Sequence, residues 1–280
     1  MKHVLSTHLI VNHRLNTVWL DRIWKAGFPA VEIFCARQHL DYRDNGQINE
    51  LANWFADAEI QFHSLHAPMY TDEVWGRSGP HSVISITETA KARRNASVDE
   101  IKRALEIAEK IPFRYLIQHL GVGGEEYDER KLDAAFNALD EIKIFAKQRG
   151  VEVLLENIPN GFSSASRLLN FLELTHLDLN FCFDVGHAHI AGGVETEYKS
   201  MQHRIRSTHI HDNDGTADIH LFPLHENGGT VDWKKTMTLL RSRPEQYPLL
   251  LELREVEGMP SPLNEAKSVI ERLAALETVE

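Results

Sequence analysis

The sequence predicts a single (β/α)8 barrel over residues 1–280, and three observations carry that prediction. Short runs rich in Val, Ile, Leu and Phe alternate with longer stretches of helical spacing, the pattern of βα units around a parallel sheet. The alternation repeats eight times without a composition break, low-complexity tract or Pro/Ser-rich linker, which favours one closed barrel over two domains. A length of 280 residues suits a barrel of about 250, and 42% hydrophobic residues exclude a disordered, collagen-like or disulfide-stapled chain. A doubly wound open sheet is the structural alternative.

In chain order the expected strands are Val4–Ile10, Ala30–Phe34, Ile60–His66, Tyr115–Leu120, Glu152–Glu156, Asn180–Asp184, Arg206–His211 and Leu249–Leu253. Helical spacing fills the gaps at Leu15–Ala26, Ile48–Ala58, Thr87–Ile111, Glu129–Gln148, Ser164–Leu174, Tyr198–His203, Asp232–Ser242 and Leu263–Leu276. Recognisable caps are Asn16-Thr17, Ser97 with Glu100 three residues on, and Asp232 before Trp233. Two connections, residues 67–86 and 212–231, exceed ordinary βα length and follow strand C-termini, where barrel enzymes place their chemistry. The first holds Tyr70, Trp75 and Arg77, suited either to stacking on a sugar ring or base or to covering the barrel mouth.

Charge narrows the partners. Lys+Arg 30 against Asp+Glu 41 gives a net −11, which argues against a chain-wide basic surface for nucleic acid or anionic membrane and leaves only a local basic groove. The densest basic run, Lys91, Arg93 and Arg94, sits in an expected helix and reads as a solvated face. No apolar run reaches the ~18 residues of a membrane span, and Met1 to Thr7 runs straight into a strand-like segment without the marks of a signal peptide. Cys35 and Cys182 stand far apart in or beside apolar runs, as buried reduced thiols do. The expectation is a soluble, cytoplasmic protein.

Sixteen histidines are the unusual feature; His3, His13, His39, His81, His176 and His203 stand alone beside polar or helical sequence, and most of the rest gather where the apolar runs end. The third strand ends in His63-Ser64-Leu65-His66, the fourth in Gln118-His119, the fifth in Glu156-Asn157, and the sixth in Asp184-Val185-Gly186-His187. The seventh ends in His209-Ile210-His211-Asp212, followed by Asp218-Ile219-His220, and the eighth carries Glu252 and Arg254. Strand C-termini of a barrel converge on one mouth, so carboxylates and imidazoles from six consecutive strands would share one space. Such a mixed donor set suits a divalent transition metal, with Mn, Zn, Co and Fe all compatible, and clustered carboxylates without a cation would repel one another. His209 and His211 share a strand face, so either can supply the seventh-strand ligand. Arg254 shares the face of Glu252 and either holds a substrate hydroxyl or phosphate or pairs with a carboxylate.

With these residues in place, the chain resembles the xylose isomerase-like TIM barrel superfamily, which includes sugar isomerases and epimerases and the endonuclease IV type of apurinic-site nuclease. Gly27-Phe28-Pro29-Ala30-Val31-Glu32, His66-Ala67-Pro68, Glu156-Asn157, Asp184-Val185-Gly186-His187, the His209-to-Asp212 segment and Glu252 follow in that superfamily's order. The epimerase branch implies one metal held by Glu156, Asp184, His209 and Glu252, with His209 chosen because Asp212 follows three positions later. The nuclease branch implies up to three ions, held by His66, His119, Glu156, Asp184, His187, His209, Asp218, His220 and Glu252; His211 stays open as the alternative to His209 and as an additional ligand. Asn157-Ile158-Pro159-Asn160-Gly161 and the short segment from His209 to Asp218 depart from the nuclease pattern.

The resemblance therefore implies a metal-dependent isomerase or epimerase of a small polyhydroxylated carbonyl compound, working through an enediolate. Glu156 and Glu252 would act as base and acid, and His187 would orient a substrate oxygen. Glu32 and His66 would bind outer hydroxyls, Arg254 would bind substrate, and Trp75 would cover the site. Phosphoester hydrolysis of abasic nucleic acid, or a dehydratase of the same barrel, is the alternative. Homo-oligomerisation through helices is implied by analogy alone.

Overall fold

The computed structural model describes residues 1–73, 82–226, 228–256 and 258–277. Eight parallel strands lie in the order 7-6-5-4-3-2-1-8: β1 His3–Ser6, β2 Ala30–Phe34, β3 Gln61–His66, β4 Tyr115–His119, β5 Glu152–Glu156, β6 Asn180–Asp184, β7 Ile205–His209 and β8 Leu249–Leu251. The seam between β7 and β8 is joined by an isolated parallel bridge, Ile210 to Leu251. Its bonds run from the Ile210 N–H to the Leu250 carbonyl at 2.8 Å and from the Glu252 N–H to the Ile210 carbonyl at 3.2 Å. The chain is a (β/α)8 barrel, and the open-sheet alternative falls.

The helices are α1 Thr17–Lys25, α2 Asn45–Asp57, α3 Lys91–Leu105, α4 Glu129–Lys147, α5 Ala165–Thr175, α6 Val185–Ala191, α7 Val194–Met201, α8 Trp233–Arg241 and α9 Pro262–Ala275. Each long helix turns an apolar stripe onto the outside of the sheet, as Leu20 and Ile23 of α1 and Ala135, Ala138, Leu139 and Ile142 of α4 do, and that layer forms the main core. The sheet interior is filled separately, by Val4, Ala30 and Leu250 in one cluster and Tyr115, Ile117, Leu154 and Cys182 in another. Both cysteines are buried free thiols. Asn16 and Asp232 cap α1 and α8 through their side chains, and Gly27 at φ 98° turns the chain from α1 toward β2 in a region that favours glycine.

Several expected boundaries are corrected. The first strand stops at Ser6 rather than Ile10, because Thr7–Ile10 winds into a 3-10 turn and the Thr7 hydroxyl accepts from the Phe34 N–H at 3.0 Å. The third helix begins at Lys91, and Ser97 lies inside it, with its hydroxyl accepting from the Ser85 N–H at 3.1 Å instead of capping. A helix expected over Tyr198–His203 occupies Val194–Met201, and the short α6 between it and β6 was not foreseen. The last strand ends at Leu251, with Glu252 just beyond it.

Candidate metal centre

Alternation along the strands decides what reaches the mouth. Ala30 faces the interior, so Glu32 two residues on does too; Leu154 and Cys182 likewise place Glu156 and Asp184, and Leu250 places Glu252. Among the described residues three sets bring donor atoms within 4.8 Å of one another: Glu156, Asp184, His209 and Glu252; His66, His119 and Glu156; and His187, His211, Asp218 and His220. Glu156 belongs to the first two, so they are contiguous.

The first set lies deepest. His209 Nδ1 is 3.0 Å from Glu156 Oε1, 3.1 Å from Glu252 Oε2 and 3.8 Å from Asp184 Oδ2. Asn157 fixes Asp184: its side-chain amide donates to the Asp184 carbonyl and accepts from the Asp184 N–H, both at 2.8 Å. Asp184 Oδ1 then accepts from the His187 N–H at 2.6 Å, capping α6. In the second set His119 Nε2 is 3.1 Å and His66 Nε2 3.6 Å from Glu156 Oε2. In the third, Asp218 receives His187 Nε2 at 3.1 Å and His220 Nε2 at 3.2 Å, while His211 Nε2 sits 3.1 Å from Asp184 Oδ1.

The two seventh-strand histidines are thus separated. His209 meets Glu156 and Glu252, whereas His211 turns to Asp184 and Asp218. A Cβ at Gly186 would lie 2.0 Å from the His211 ring, so only glycine lets α6 start this close. Asp212 is an anchor for the following loop, accepting from the Val231 N–H at 3.0 Å and the Trp233 indole N–H at 2.6 Å.

Charge coupling dominates the site. Burial would raise the Glu156 carboxyl, but the His209 and His119 imidazoles outweigh it and hold it well below the usual range; His209 and His220 do the same to Glu252. Burial would lower His187, but Asp184 and Asp218 hold it well above an ordinary imidazole, and Asp218 beside His220 pushes the latter up to about 9 against its burial. Protonated imidazoles here supply the positive charge that buried carboxylates demand. A divalent cation with neutral imidazoles satisfies the same demand, so the donor set fits a metal.

Above the set lies a cavity of about 310 Å³, walled by Glu156, Glu252, His66, His119, His187, His220 and Asp218 with Phe34, Ile84, Ile158 and Pro159. Asp184, His209 and Glu32 lie below it and do not line it. Glu32, expected to grip outer substrate hydroxyls, is instead placed out of the cavity wall and fully buried, its Oε2 accepting from the Ser64 hydroxyl at 2.7 Å and its Oε1 3.1 Å from His209 Nε2. Arg254 stands exposed at the rim and makes no ion pair with Glu252 among the described residues. Trp75, Arg77 and His81 lie outside the described residues.

Two lining residues escaped sequence reasoning. The His8 ring lies tilted against His220, 4.6 Å between centroids, and its Nδ1 donates to the Leu253 carbonyl; burial pushes it down to about 3, so it is neutral. Gln118 donates its amide to the His119 carbonyl at 2.9 Å, which leaves its buried Oε1 without a hydrogen-bond partner beside the cavity. Its place next to His119 at a strand end was the available signal.

A (β/α)8 barrel with a carboxylate and imidazole centre at the C-terminal mouth of its strands defines a class of protein, and the comparisons place the chain within it. The xylose isomerase-like TIM barrel family matches residues 20–277, and the chain belongs to that family. It is 28% identical over 233 residues to the Methanocaldococcus jannaschii protein MJ1311, covering 79% of this chain and 74% of that one. Among solved structures, a D-tagatose 3-epimerase-like protein superposes with TM-score 0.76 at 23% identity, covering 98% of this chain and 97% of the other. An L-ribulose 3-epimerase does so with TM-score 0.76 at 16% identity, covering 98% and 94%. The IOLI protein with a zinc atom bound gives 0.74 at 18% identity, covering 98% and 96%. At these identities the likeness establishes the fold. No helix among the described residues is long and apolar enough to cross a membrane.

Proposed function

We propose that this chain is a divalent-metal-dependent isomerase or epimerase of a small sugar or polyol-type carbonyl compound. The observation that carries the reading is the pair Glu156 and Glu252. Both line the cavity, both approach His209 Nδ1 within 3.1 Å, and they enter from strands three apart in the barrel. Two carboxylates reaching one small space from different sides are placed to remove a proton from one face of a carbon and return one to the other. Glu156, Asp184, His209 and Glu252 would hold the metal. When bound, a divalent cation supplies Lewis-acid polarisation of a substrate carbonyl, which makes the adjacent C–H acidic enough to ionise near neutral pH.

The chain's own groups do the rest. His187, fixed by its Nδ1–H to the Asn157 carbonyl at 2.9 Å, presents Nε2 to the cavity side and stabilises charge developing on a substrate oxygen. His66 and Gln118 offer contacts to outer hydroxyls, Gln118 through its free acceptor. Phe34, Ile84, Ile158 and Pro159 exclude water around the carbon skeleton. A volume of about 310 Å³ is at the small end of ligand pockets and suits a monosaccharide.

The two additional donor sets favour a second reading, phosphoester hydrolysis on a multi-metal centre. Incubating metal-loaded protein with D-tagatose or L-ribulose in deuterated water separates the two. Deuterium at the carbon beside the carbonyl, with appearance of an epimer, is expected. No exchange with any ketose, together with metal-dependent nicking of a duplex carrying an abasic site, would establish the hydrolase instead.

A further inference from the structure

Five mouth imidazoles can be sorted by whether a backbone carbonyl holds one ring nitrogen. His66 Nδ1 donates to the Ala67 carbonyl at 3.0 Å, His187 Nδ1 to Asn157 at 2.9 Å, His211 Nδ1 to Asp212 at 3.3 Å and His220 Nδ1 to Glu252 at 3.0 Å. All four present Nε2 to the mouth. His209 is reversed: Nδ1 faces Glu156 and Glu252, and Nε2 donates to Glu32 Oε2 at 3.2 Å, with Oε1 beside it at 3.1 Å and without a hydrogen-bond partner of its own. Where the others lean on a backbone dipole, this ring leans on a full negative charge.

Glu32 is placed for that task by the sheet. The pairing of β2 with β3 shifts register between Val31 and Glu32, so that Val31 opposes Phe62 while Glu32 opposes Ser64 and skips His63. The Ser64 hydroxyl therefore reaches Glu32 Oε2 at 2.7 Å. Glu32 has no exposed surface and no place in the cavity wall, so a substrate does not touch it. A carboxylate buried this deeply is costly unless it serves a partner.

We propose that Glu32 is a positioning residue of the metal centre: held by Ser64, its carboxylate takes the Nε2 proton of His209 as a hydrogen bond and leaves Nδ1 to ligate a divalent cation with Glu156, Asp184 and Glu252. A carboxylate accepts and cannot donate, so Nε2 carries the hydrogen and the lone pair is directed to the carboxylate side. Partners of this kind fix ring orientation and raise ligand basicity, and their loss costs 10- to 100-fold in metal affinity, on the order seen generally. The inference rests on the metal-holding part of the reading above and not on the substrate.

Co2+ titration of the chelator-stripped full chain tests it, read by the visible absorption of the bound ion and by competition with a chelator dye. Glu32→Gln should weaken the tightest Co2+ site about 10- to 100-fold and change its absorption spectrum. Ser64→Ala, which removes only the hydroxyl that holds Glu32, should weaken it by a smaller factor and provides the readout if the first variant does not fold. Glu32 has no positioning role if the wild type and the folded variants bind Co2+ equally well with one spectrum. If the wild type itself takes up no Co2+, the metal centre and this inference both fall, whereas a wild type that binds Co2+ but converts no ketose leaves the inference standing and removes only the sugar reading.

Discussion

Buried histidines of this barrel shift in opposite directions. Low in the barrel, His63 sits 5.3 Å from the Tyr115 ring and 3.4 Å from the Ser207 hydroxyl, with no carboxylate among these partners, and burial followed by the charges of Lys2 and Arg114 pushes it down to about 3. At the mouth, His187, His209 and His220 are enclosed too, yet their neighbours, carboxylates and for His209 Cys182 as well, hold all three above an ordinary imidazole, whereas burial keeps His8 and His119 of the same cavity lowered. Burial alone lowers an imidazole, and enough negative charge around the same residue raises it. What separates the two groups is therefore the local field and not the depth of burial.

The sharpest way to break that contrast is to remove a mouth charge. Glu156→Gln keeps the shape but deletes the carboxylate proposed as base and metal ligand, and turnover in the deuterium-exchange assay should fall by roughly 10²- to 10⁴-fold with the fold intact by circular dichroism. Retained exchange would take Glu156 out of proton transfer. Stripping the metal acts on the same field: relative to protein with free Zn2+ at about 100 times its Kd, chelation should cost about 2.7 kcal/mol of stability, seen as a fall in melting temperature of several degrees. An unchanged melting curve would mean that imidazolium ions alone satisfy the mouth.

A smaller effect is expected from geometry. Gly186→Ala places a methyl 2.0 Å from the His211 ring, which should cost about 1–3 kcal/mol of stability and, by pushing His211 off Asp184, lower the metal content measured by elemental analysis. The smallest expected effect isolates the lower histidine. His63 is depressed to about 3 from 6.5, so below pH 6.5 the unfolded chain binds a proton that the folded one refuses, and stability falls as pH drops toward 3, by about 1.4 kcal/mol per unit. His187, His209 and His220 are raised instead, so the stability they contribute is fully present below 6.5 and is lost only as pH climbs through their folded values. Denaturant unfolding of metal-free protein between pH 6.5 and 5 should therefore show a shallower slope in His63→Gln; an unaltered slope would move the acid sensitivity to His8 or His39, which burial also lowers.

Much of this protein is legible in its residues. Apolar runs of four to seven residues can pair only as buried parallel strands when long helical stretches separate them, so the eightfold alternation, the barrel and the strand ends that carry Glu156, Asp184, His187 and Glu252 were open to reading before any coordinates. Residues that serve distant partners were not. Thr7 ends β1 early because Phe34, 27 residues away, needs its hydroxyl. His209 and His211 share a strand face, and only the positions of Glu156 and Glu252 across the mouth tell them apart. Glu32 reads as a substrate contact until the β2 and β3 register seals it under His209. Periodicity is local and survives in one dimension; the sign of the field at a nitrogen depends on charges brought together from strands more than a hundred residues apart, which only the closed barrel decides.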